Sequence, residues 1–320
     1  MSKTESNAID TKKNENNNNN ADNNYDIKLK ELILKLKYHT GSIYCSTLLK
    51  DGRFATGSSD ASIIIFNNKV FKPDLIINDN RAVKCLIQLK SGILASCSCD
   101  KTIKLYNIKK KEYQVIQTLK YHTGWVNKLI ELNNNKLVSC SDDANIIFYI
   151  KNNNEYIKDH QFKTKGSNNY LIQTKENEIC FDEYHSSEYS ICFFDLLERK
   201  IITRINNIGW CGNFTMISKD LLMITGENKI LITNINSYNI IRTIDVPNSS
   251  NILDVCMLNE NQFLTCDDNE NIIQWKIEGD NLILISKKEK AHSSFIKTLL
   301  KIEDGRILSG DFNGFIKIWY

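Results

Sequence analysis

Residues 93–107 read ILASCSCDKTIKLYN. The stretch begins with apolar residues, passes through small and polar ones, and closes on a segment in which apolar and polar side chains alternate. This order predicts two short strands joined by a tight turn at Asp100. Similar patterns occur at 54–67, 137–150 and 307–320. A pattern that returns along the whole chain predicts a repeat architecture.

The repeat period is set by one position near the end of each unit, which is aromatic in every unit except the fifth. The seven positions, separated by 39 to 45 residues, are Phe66, Tyr106, Tyr149, Phe194, Thr233, Trp275 and Trp319. Each unit has room for about four short strands. In the second unit we predict them at 83–89, 93–97, 102–107 and 114–119. Four strands at this period predict an all-β, seven-bladed β-propeller.

Polar residues recur at matching places in the units. A histidine stands four residues before an apolar strand residue at His39, His122 and His292. An aspartate stands six residues before the aromatic at Asp60, Asp100 and Asp143, and a strand hydroxyl occurs at Ser96, Ser139, Thr265 and Ser309. Asp-Gly pairs fit turns at 51–52 and 304–305. With these motifs, residues 31–320 resemble the WD40-repeat family.

The resemblance implies that the last blade is completed by a strand from the other end of the chain. Residues 31–37 alternate like a strand but have no partner before them in the sequence, and the last unit ends after its third strand. Pairing these two elements would remove two exposed sheet edges. We therefore expect the N-terminal strand to close the seventh blade.

Several units depart from the family pattern. The chain has no Trp-Asp dipeptide, and Asn269 and Asn313 stand where the turn aspartate is expected. The fourth unit is predicted to have a long turn at 182–188, and the fifth a short one at 226–229. His160 and His185 are predicted to lie in solvated turns.

The amino-acid composition predicts where the folded domain begins and which cellular compartment the protein occupies. Residues 1–26 are rich in Asn and poor in large aliphatic side chains, which predicts a disordered tail, followed by a propeller domain over 27–320. The ten cysteines, most of them in apolar segments, and the polar start of the chain predict reduced thiols in the cytoplasm, or alternatively the nucleus. No apolar run reaches the roughly 20 residues that cross a bilayer, so we expect no membrane partner.

No constellation for catalysis, a cofactor or a metal is visible. The sequence lacks a glycine-rich phosphate loop, G-x-S-x-G, H-E-x-x-H and C-x-x-C motifs. A soft-metal site at Cys97 and Cys99 is an alternative to core packing. The resemblance implies that the repeated polar residues are structural, namely His39, Asp60, Ser96, Asp100, His122, Ser139, Asp143, His292 and Ser309. We therefore expect no cofactor, no metal and no enzymatic activity.

The residues that the repeat leaves free are the candidates for partner binding. The resemblance implies a docking face built from the connection before each blade's first strand and the turn between its second and third strands. The residues placed there are Ser42, Ser59, Arg81, Cys99, Lys101, Trp125, Asp142, Trp210, Phe295 and Phe312. Aromatic and Arg side chains dominate binding hot spots. The alternative is that these aromatics wedge between blades.

The leading hypothesis is a non-catalytic interaction scaffold or adaptor that docks a protein or peptide partner on this face. A narrower version makes it the substrate-recognition subunit of a ubiquitin ligase or of another multi-subunit complex. A propeller enzyme is the alternative from a different class. The net charge of +3 with 25% charged residues disfavours a nucleic-acid partner.

Overall fold

The repeat seen in the sequence forms a ring of seven sheets. The computed structural model describes residues 31–246, 251–279 and 281–320. Within these ranges, 28 strands form seven four-stranded antiparallel sheets. The predicted seven-bladed β-propeller is therefore confirmed. The predicted disordered tail, residues 1–26, lies outside the described residues.

The blades follow one another in chain order. Blade 1 contains β2 (Ile43–Leu48), β3 (Phe54–Ser58), β4 (Ser62–Phe66) and β5 (Pro73–Asn78). Blade 2 contains β6 (Val83–Gln88), β7 (Leu94–Ser98), β8 (Ile103–Ile108) and β9 (Tyr113–Leu119). Blade 3 contains β10 (Val126–Glu131), β11 (Leu137–Ser141), β12 (Asn145–Asn152) and β13 (Glu155–Lys163). Blade 4 contains β14 (Leu171–Lys175), β15 (Glu178–His185), β16 (Glu188–Asp195) and β17 (Lys200–Ile205).

The remaining blades repeat this order, with one exception in the last. Blade 5 contains β18 (Cys211–Met216), β19 (Leu221–Gly226), β20 (Lys229–Asn234) and β21 (Asn239–Asp245). Blade 6 contains β22 (Ile252–Asn259), β23 (Gln262–Asp267), β24 (Ile272–Glu278) and β25 (Asn281–Lys288). Blade 7 contains β26 (Ile296–Lys301), β27 (Ile307–Asp311), β28 (Phe315–Trp319) and, from the other end of the chain, β1 (Leu32–Lys37).

The burial of each strand follows from its place in the blade. The second strands of blades 1, 2, 3, 6 and 7, such as β7 and β11, are buried at every residue because a neighbouring blade covers each face. This explains their continuous runs of small and apolar residues. The outermost strands, such as β21, alternate between exposed and half-buried residues. Seven clusters of buried apolar side chains form the core, one between each pair of successive blades.

The N-terminal strand closes the ring as predicted. β1 pairs antiparallel with β28, and Leu34 and Leu36 lie opposite Ile318 and Ile316. Both leucines pack against the cluster between blades 7 and 1. The first and last strands therefore share one sheet, and the hydrophobic contact between the two end blades is continuous with the rest of the ring.

The predicted register holds in the irregular blades, but one predicted turn was wrong. The fourth- and fifth-unit positions Phe194 and Thr233 lie opposite Ile179 and Leu222, as the equivalent aromatics do elsewhere. Residues 182–188 do not form a long turn. They extend β15 and β16 into a long hairpin whose turn residues, Ser186 and Ser187, have φ values of 50° and 66°. Two consecutive residues with positive φ match the twist of paired strands, so the additional residues lengthen the hairpin.

Candidate functional site

The candidate site lies on the face where the connection between blades meets the turn between the second and third strands, here called the top face. A backbone hydrogen bond ties the two segments together in most blades. Ser59 N donates to Ser42 O at 2.8 Å, and Asp142 N donates to Trp125 O at 3.0 Å. Phe312 N donates likewise to the carbonyl oxygen of Phe295 at 2.9 Å. These three backbone hydrogen bonds therefore join six of the residues predicted to bind a partner into three pairs.

Beneath this face, a histidine in three blades joins the two segments through its side chain. In blade 3, His122 Nδ1 lies 2.9 Å from Asp143 Oδ2, and His122 Nε2 lies 2.7 Å from Ser139 Oγ. In blade 1, His39 makes the same contacts with Asp60 at 3.0 Å and Thr56 at 2.7 Å. The hydrogen bonds that the resemblance implied are therefore present in both blades.

A Ser–His–Asp arrangement is also the arrangement of a hydrolase triad, but this one is closed to a substrate. Ser139 is completely buried, and its Oγ also lies 3.0 Å from the hydroxyl of Tyr149. Gly124 explains how the loop packs so closely: a Cβ there would lie 2.6 Å from the backbone nitrogen of Asp143. The arrangement therefore satisfies buried polar groups and fixes the loop on the blade.

Blade 7 builds the same network with a different aspartate. His292 Nδ1 lies 2.8 Å from Asp311 Oδ2, and His292 Nε2 lies 2.6 Å from Ser309 Oγ. The spacing from the aromatic led us to expect the turn aspartate at position 313, where the chain has Asn; the carboxylate comes instead from Asp311, the last residue of β27. Asn313 is exposed. In blade 6, Asp267 is likewise the buried aspartate, and it accepts a hydrogen bond from Asn271 N at 2.8 Å.

Blade 2 replaces the histidine with an ion pair that the sequence reading missed. Asp79 stands four residues before Val83, at the histidine position, and its side chain is fully buried. Lys104 Nζ pairs with Asp79 and also with Asp100, the latter at 2.7 Å. Burial lowers the pKa of Lys104, but its bonds to Asp100 and Asp79 more than offset this and raise it. The signal for this exchange was the aspartate at the histidine position, since Lys317 occupies the place of Lys104 in blade 7, which retains His292.

Above blades 1 to 3, the top face carries a groove with a cavity volume of about 430 Å³. Four of the residues predicted to bind a partner line it, namely Ser59, Arg81, Cys99 and Trp125. Arg81 is exposed, and Trp125 has 48% of its surface accessible. Trp125 is therefore not wedged between blades. Lys101 and Asp142 are exposed in neighbouring turns, and Asp142 Oδ1 accepts a hydrogen bond from Asn127 Nδ2 at 2.7 Å.

The other predicted aromatics lie elsewhere on the ring. Phe295 and Phe312 form an edge-to-face pair in blade 7, with ring centroids 6.0 Å apart and 46% and 47% of their surfaces exposed. Trp210 is half-buried and lines the central channel. The structure therefore separates the predicted aromatics into the groove, the blade 7 pair and the channel. Whether they bind a partner stays a prediction.

The groove continues into the central channel, a cavity of about 440 Å³ lined by first-strand residues of six blades and, in blade 4, by Asn169 and Tyr170 just before β14. Two lysines that the sequence reading passed over, Lys84 and Lys297, line it. They are the second residues of β6 and β26. Lys84 Nζ lies 4.8 Å from the ring centroid of Tyr44 and 6.0 Å from that of Trp125. Lys84 and Tyr44 line both cavities, so they join the groove to the channel.

The channel wall also contains two half-buried charged residues, Asp254 and Lys128. Asp254 accepts hydrogen bonds from the backbone nitrogens of Leu299 and Val255 at 2.8 and 2.9 Å, and burial raises its pKa. Burial lowers the pKa of Lys128, but neighbouring groups, Cys85 first and then Asp254, outweigh burial and raise it. Lys128 and Asp254 therefore stabilise each other's charged form within the channel wall.

One histidine and one cysteine of interest lie in strands and not in turns. His160 does not lie in a turn: it belongs to β13 and stacks on Phe148, with ring centroids 4.2 Å apart. Cys97 is buried between blades 2 and 3, whereas Cys99 lies at the groove.

Among the described residues, no three His, Cys, Asp or Glu side chains form a group that could hold a metal ion. No helix within the described ranges has the length and apolar character needed to span a membrane.

Seven four-stranded blades around a channel define the class of seven-bladed β-propellers. The family model described as WD domain, G-beta repeat matches residues 30–67, 77–107 and 113–149. These stretches cover β1, the first three strands of blades 1 and 2, and β9 together with blade 3 as far as Tyr149 in β12. WD40 repeats are therefore shown over blades 1 to 3, and the resemblance drawn from the sequence is confirmed there. A search of curated proteins found no match.

Proposed function

We propose that this protein is a non-catalytic interaction scaffold that docks a protein or peptide partner on its top face. One observation carries the proposal: Trp125, Arg81 and Lys84 surround a groove that opens into the central channel. An exposed aromatic beside cationic side chains is the composition of a binding hot spot. WD40 propellers are generally interaction scaffolds, which supports the same reading.

The polar residues of the blades support a scaffold over an enzyme. His39, His122 and His292 are buried, and both ring nitrogens of each are hydrogen bonded within its blade. Each histidine and its hydroxyl partner, Thr56, Ser139 or Ser309, are buried, so no substrate can reach the atoms that would exchange a proton. The side chains that remain available on the top face recognise a partner through contact area and charge.

We also propose a reducing compartment, the cytoplasm or the nucleus. All ten cysteines are free thiols, and most are buried among apolar side chains of the blades. Thiols used as packing residues fit a compartment in which disulfides do not persist.

The test is affinity purification of the tagged full chain followed by mass spectrometry, with wild type compared with a Trp125→Ala, Phe312→Ala double variant. We expect the variant to lose partners that wild type retains while its melting temperature stays near wild type, because both side chains are half exposed. Leu197→Ala is the matched control, since Leu197 is 73% exposed in the turn between β16 and β17, away from the top face. Equal loss of partners in the control, or unfolding of the double variant, would contradict the proposal.

A further inference from the structure

Lys84 and Lys297 are two positively charged side chains that line the central channel. They occupy the same strand position in blades 2 and 7, on either side of Tyr44 in blade 1. Burial lowers the pKa of Lys297, and the charge of Lys84 lowers it further. Within the described residues, neither lysine forms an ion pair with a carboxylate.

The nearby carboxylates are committed to other groups. Asp60, which lines the groove, accepts hydrogen bonds from Thr40 N at 2.9 Å and Ser62 Oγ at 2.6 Å, besides its contact with His39. Asp268 acts on Lys297 from a distance but is bound by Asn251 N at 2.9 Å and Asn251 Nδ2 at 2.8 Å. Asp254 lies within the channel wall with Lys128. None of these three carboxylates forms a salt bridge with Lys84 or Lys297.

Half-buried ammonium groups that have no salt-bridge partner favour an anionic ligand. A carboxylate between Lys84 and Lys297 would remove their repulsion and form charge-assisted hydrogen bonds, which are stronger than neutral ones. Arg81 extends the positive charge along the groove, and the rings of Tyr44 and Trp125 provide apolar contact area. A groove about 430 Å³ in volume that leads into a channel suits an extended chain with one side chain inserted.

We infer that the partner docks through an acidic peptide segment, with one carboxylate held between Lys84 and Lys297 and the adjoining backbone lying along the groove over Trp125. This inference rests on the proposed function and specifies the chemistry of the partner. A nucleic acid would also present anionic groups, but the chain as a whole is close to neutral, with a net charge of +3. The positive charge is local, as suits a short acidic segment.

The experiment measures fluorescence anisotropy of the purified full chain with a short fluorescein-labelled peptide of alternating Glu and Gly. We expect saturable binding that weakens as salt is raised. Lys84→Gln, Lys297→Gln should weaken binding at least tenfold, because it removes the charged partners of the peptide carboxylate. The melting temperature of this variant should not fall, because the substitution removes a repulsion.

Lys110→Gln, Lys111→Gln is the matched control, since it removes the same charge from exposed lysines of the outer turn of blade 2. It should bind like wild type. Equal weakening in the control, equal binding of the Gln version of the peptide, or no binding up to millimolar protein would overturn the inference. Tighter competition by an oligonucleotide of equal charge would also overturn it and favour a nucleic acid. Loss of captured partners in the Trp125 variant but not in the lysine variant would leave the proposed function standing and refute the acidic segment.

Discussion

Asp311 holds His292 across blade 7, with its Oδ2 2.8 Å from His292 Nδ1 and both residues buried. The other oxygen, Oδ1, accepts hydrogen bonds from the backbone nitrogens of Asn313 at 2.9 Å and Phe315 at 2.8 Å. One carboxylate therefore fixes both the loop before β26 and the turn before β28. This blade is also the one that the N-terminal strand completes, so its geometry determines whether the ring closes.

The first prediction is that Asp311→Ala destabilises the protein by about 2–4 kcal/mol, because it leaves buried donors without an acceptor. Urea denaturation of the purified protein measures the free energy of unfolding. Asn313→Ala is the control: its exposed side chain occupies the position of the turn aspartate in other blades, and its effect should stay within about 0.5 kcal/mol. A larger loss at residue 313 than at residue 311 would contradict the assignment.

The difference between Asp311 and Asn313 shows what spacing can and cannot predict. The distance from the aromatic predicts an aspartate at the turn, as in Asp60 and Asp143. The histidine, however, needs only a carboxylate oxygen within reach, and the last residue of β27 supplies one. The spacing of the repeated aromatic predicted the seven units, and alternation predicted the N-terminal strand, because both reflect local burial. The place of that strand in the last blade was implied by the family resemblance. The partner of a buried histidine depends on where two distant segments meet.

The second prediction concerns the ion pair in blade 2. Lys104→Met should cost about 3–5 kcal/mol, because it leaves the buried carboxylate of Asp79 without its counter-ion. Urea denaturation again provides the measurement. Lys111→Met, at an exposed position on the same blade, is the control and should have little effect.

A second variant tests whether the loss comes from the unpaired charge. Asp79→Asn combined with Lys104→Met removes both charges and retains an acceptor near Ser96 and Tyr106, whose oxygens each lie 3.4 Å from Asp79 Oδ2. The double variant should be more stable than Lys104→Met alone. If it is less stable, the lysine acts through its packing and not through its charge.

The third prediction concerns closure of the ring. Deleting residues 1–37 removes β1 and exposes the edge of β28 and the apolar side chains that Leu34 and Leu36 cover. The melting temperature should fall and the tendency to aggregate should rise, since an unpaired edge is a template for association. Deleting residues 1–24 removes only the Asn-rich segment and should leave both unchanged. Equal melting temperatures for the two truncations would refute closure by β1.

The candidate site was only partly predictable from the sequence. Trp125 and Phe295 were placed on the top face because each lies at the same offset from its histidine, and that offset transfers between blades. Lys84 and Lys297 were not found, because nothing in either local sequence indicates that two strands far apart in the chain lie on either side of Tyr44. Whether a lysine has a salt-bridge partner depends on which strands become neighbours when the ring assembles.

The last prediction is a pH dependence that arises from Asp182 in blade 4. Asp182 is fully buried, and its Oδ1 accepts hydrogen bonds from the backbone nitrogens of Asn169 and Tyr170, both at 2.7 Å. Burial outweighs these bonds and raises the pKa of Asp182 from 3.8 to about 6. The folded state therefore binds a proton more tightly than the unfolded state. The resulting contribution to stability is complete below pH 3.8 and is lost as the pH rises through about 6.

Asp182→Asn should remove this dependence. A pKa difference of this size corresponds to about 3 kcal/mol, so the variant should gain up to that amount relative to wild type between pH 4 and pH 7. The measurement is the free energy of unfolding of both proteins across this range, expressed as their difference. His39 and His292, whose pKa values burial lowers, contribute the opposite trend, but they are present in both proteins and cancel. A difference that stays constant with pH would show that Asp182 remains charged throughout.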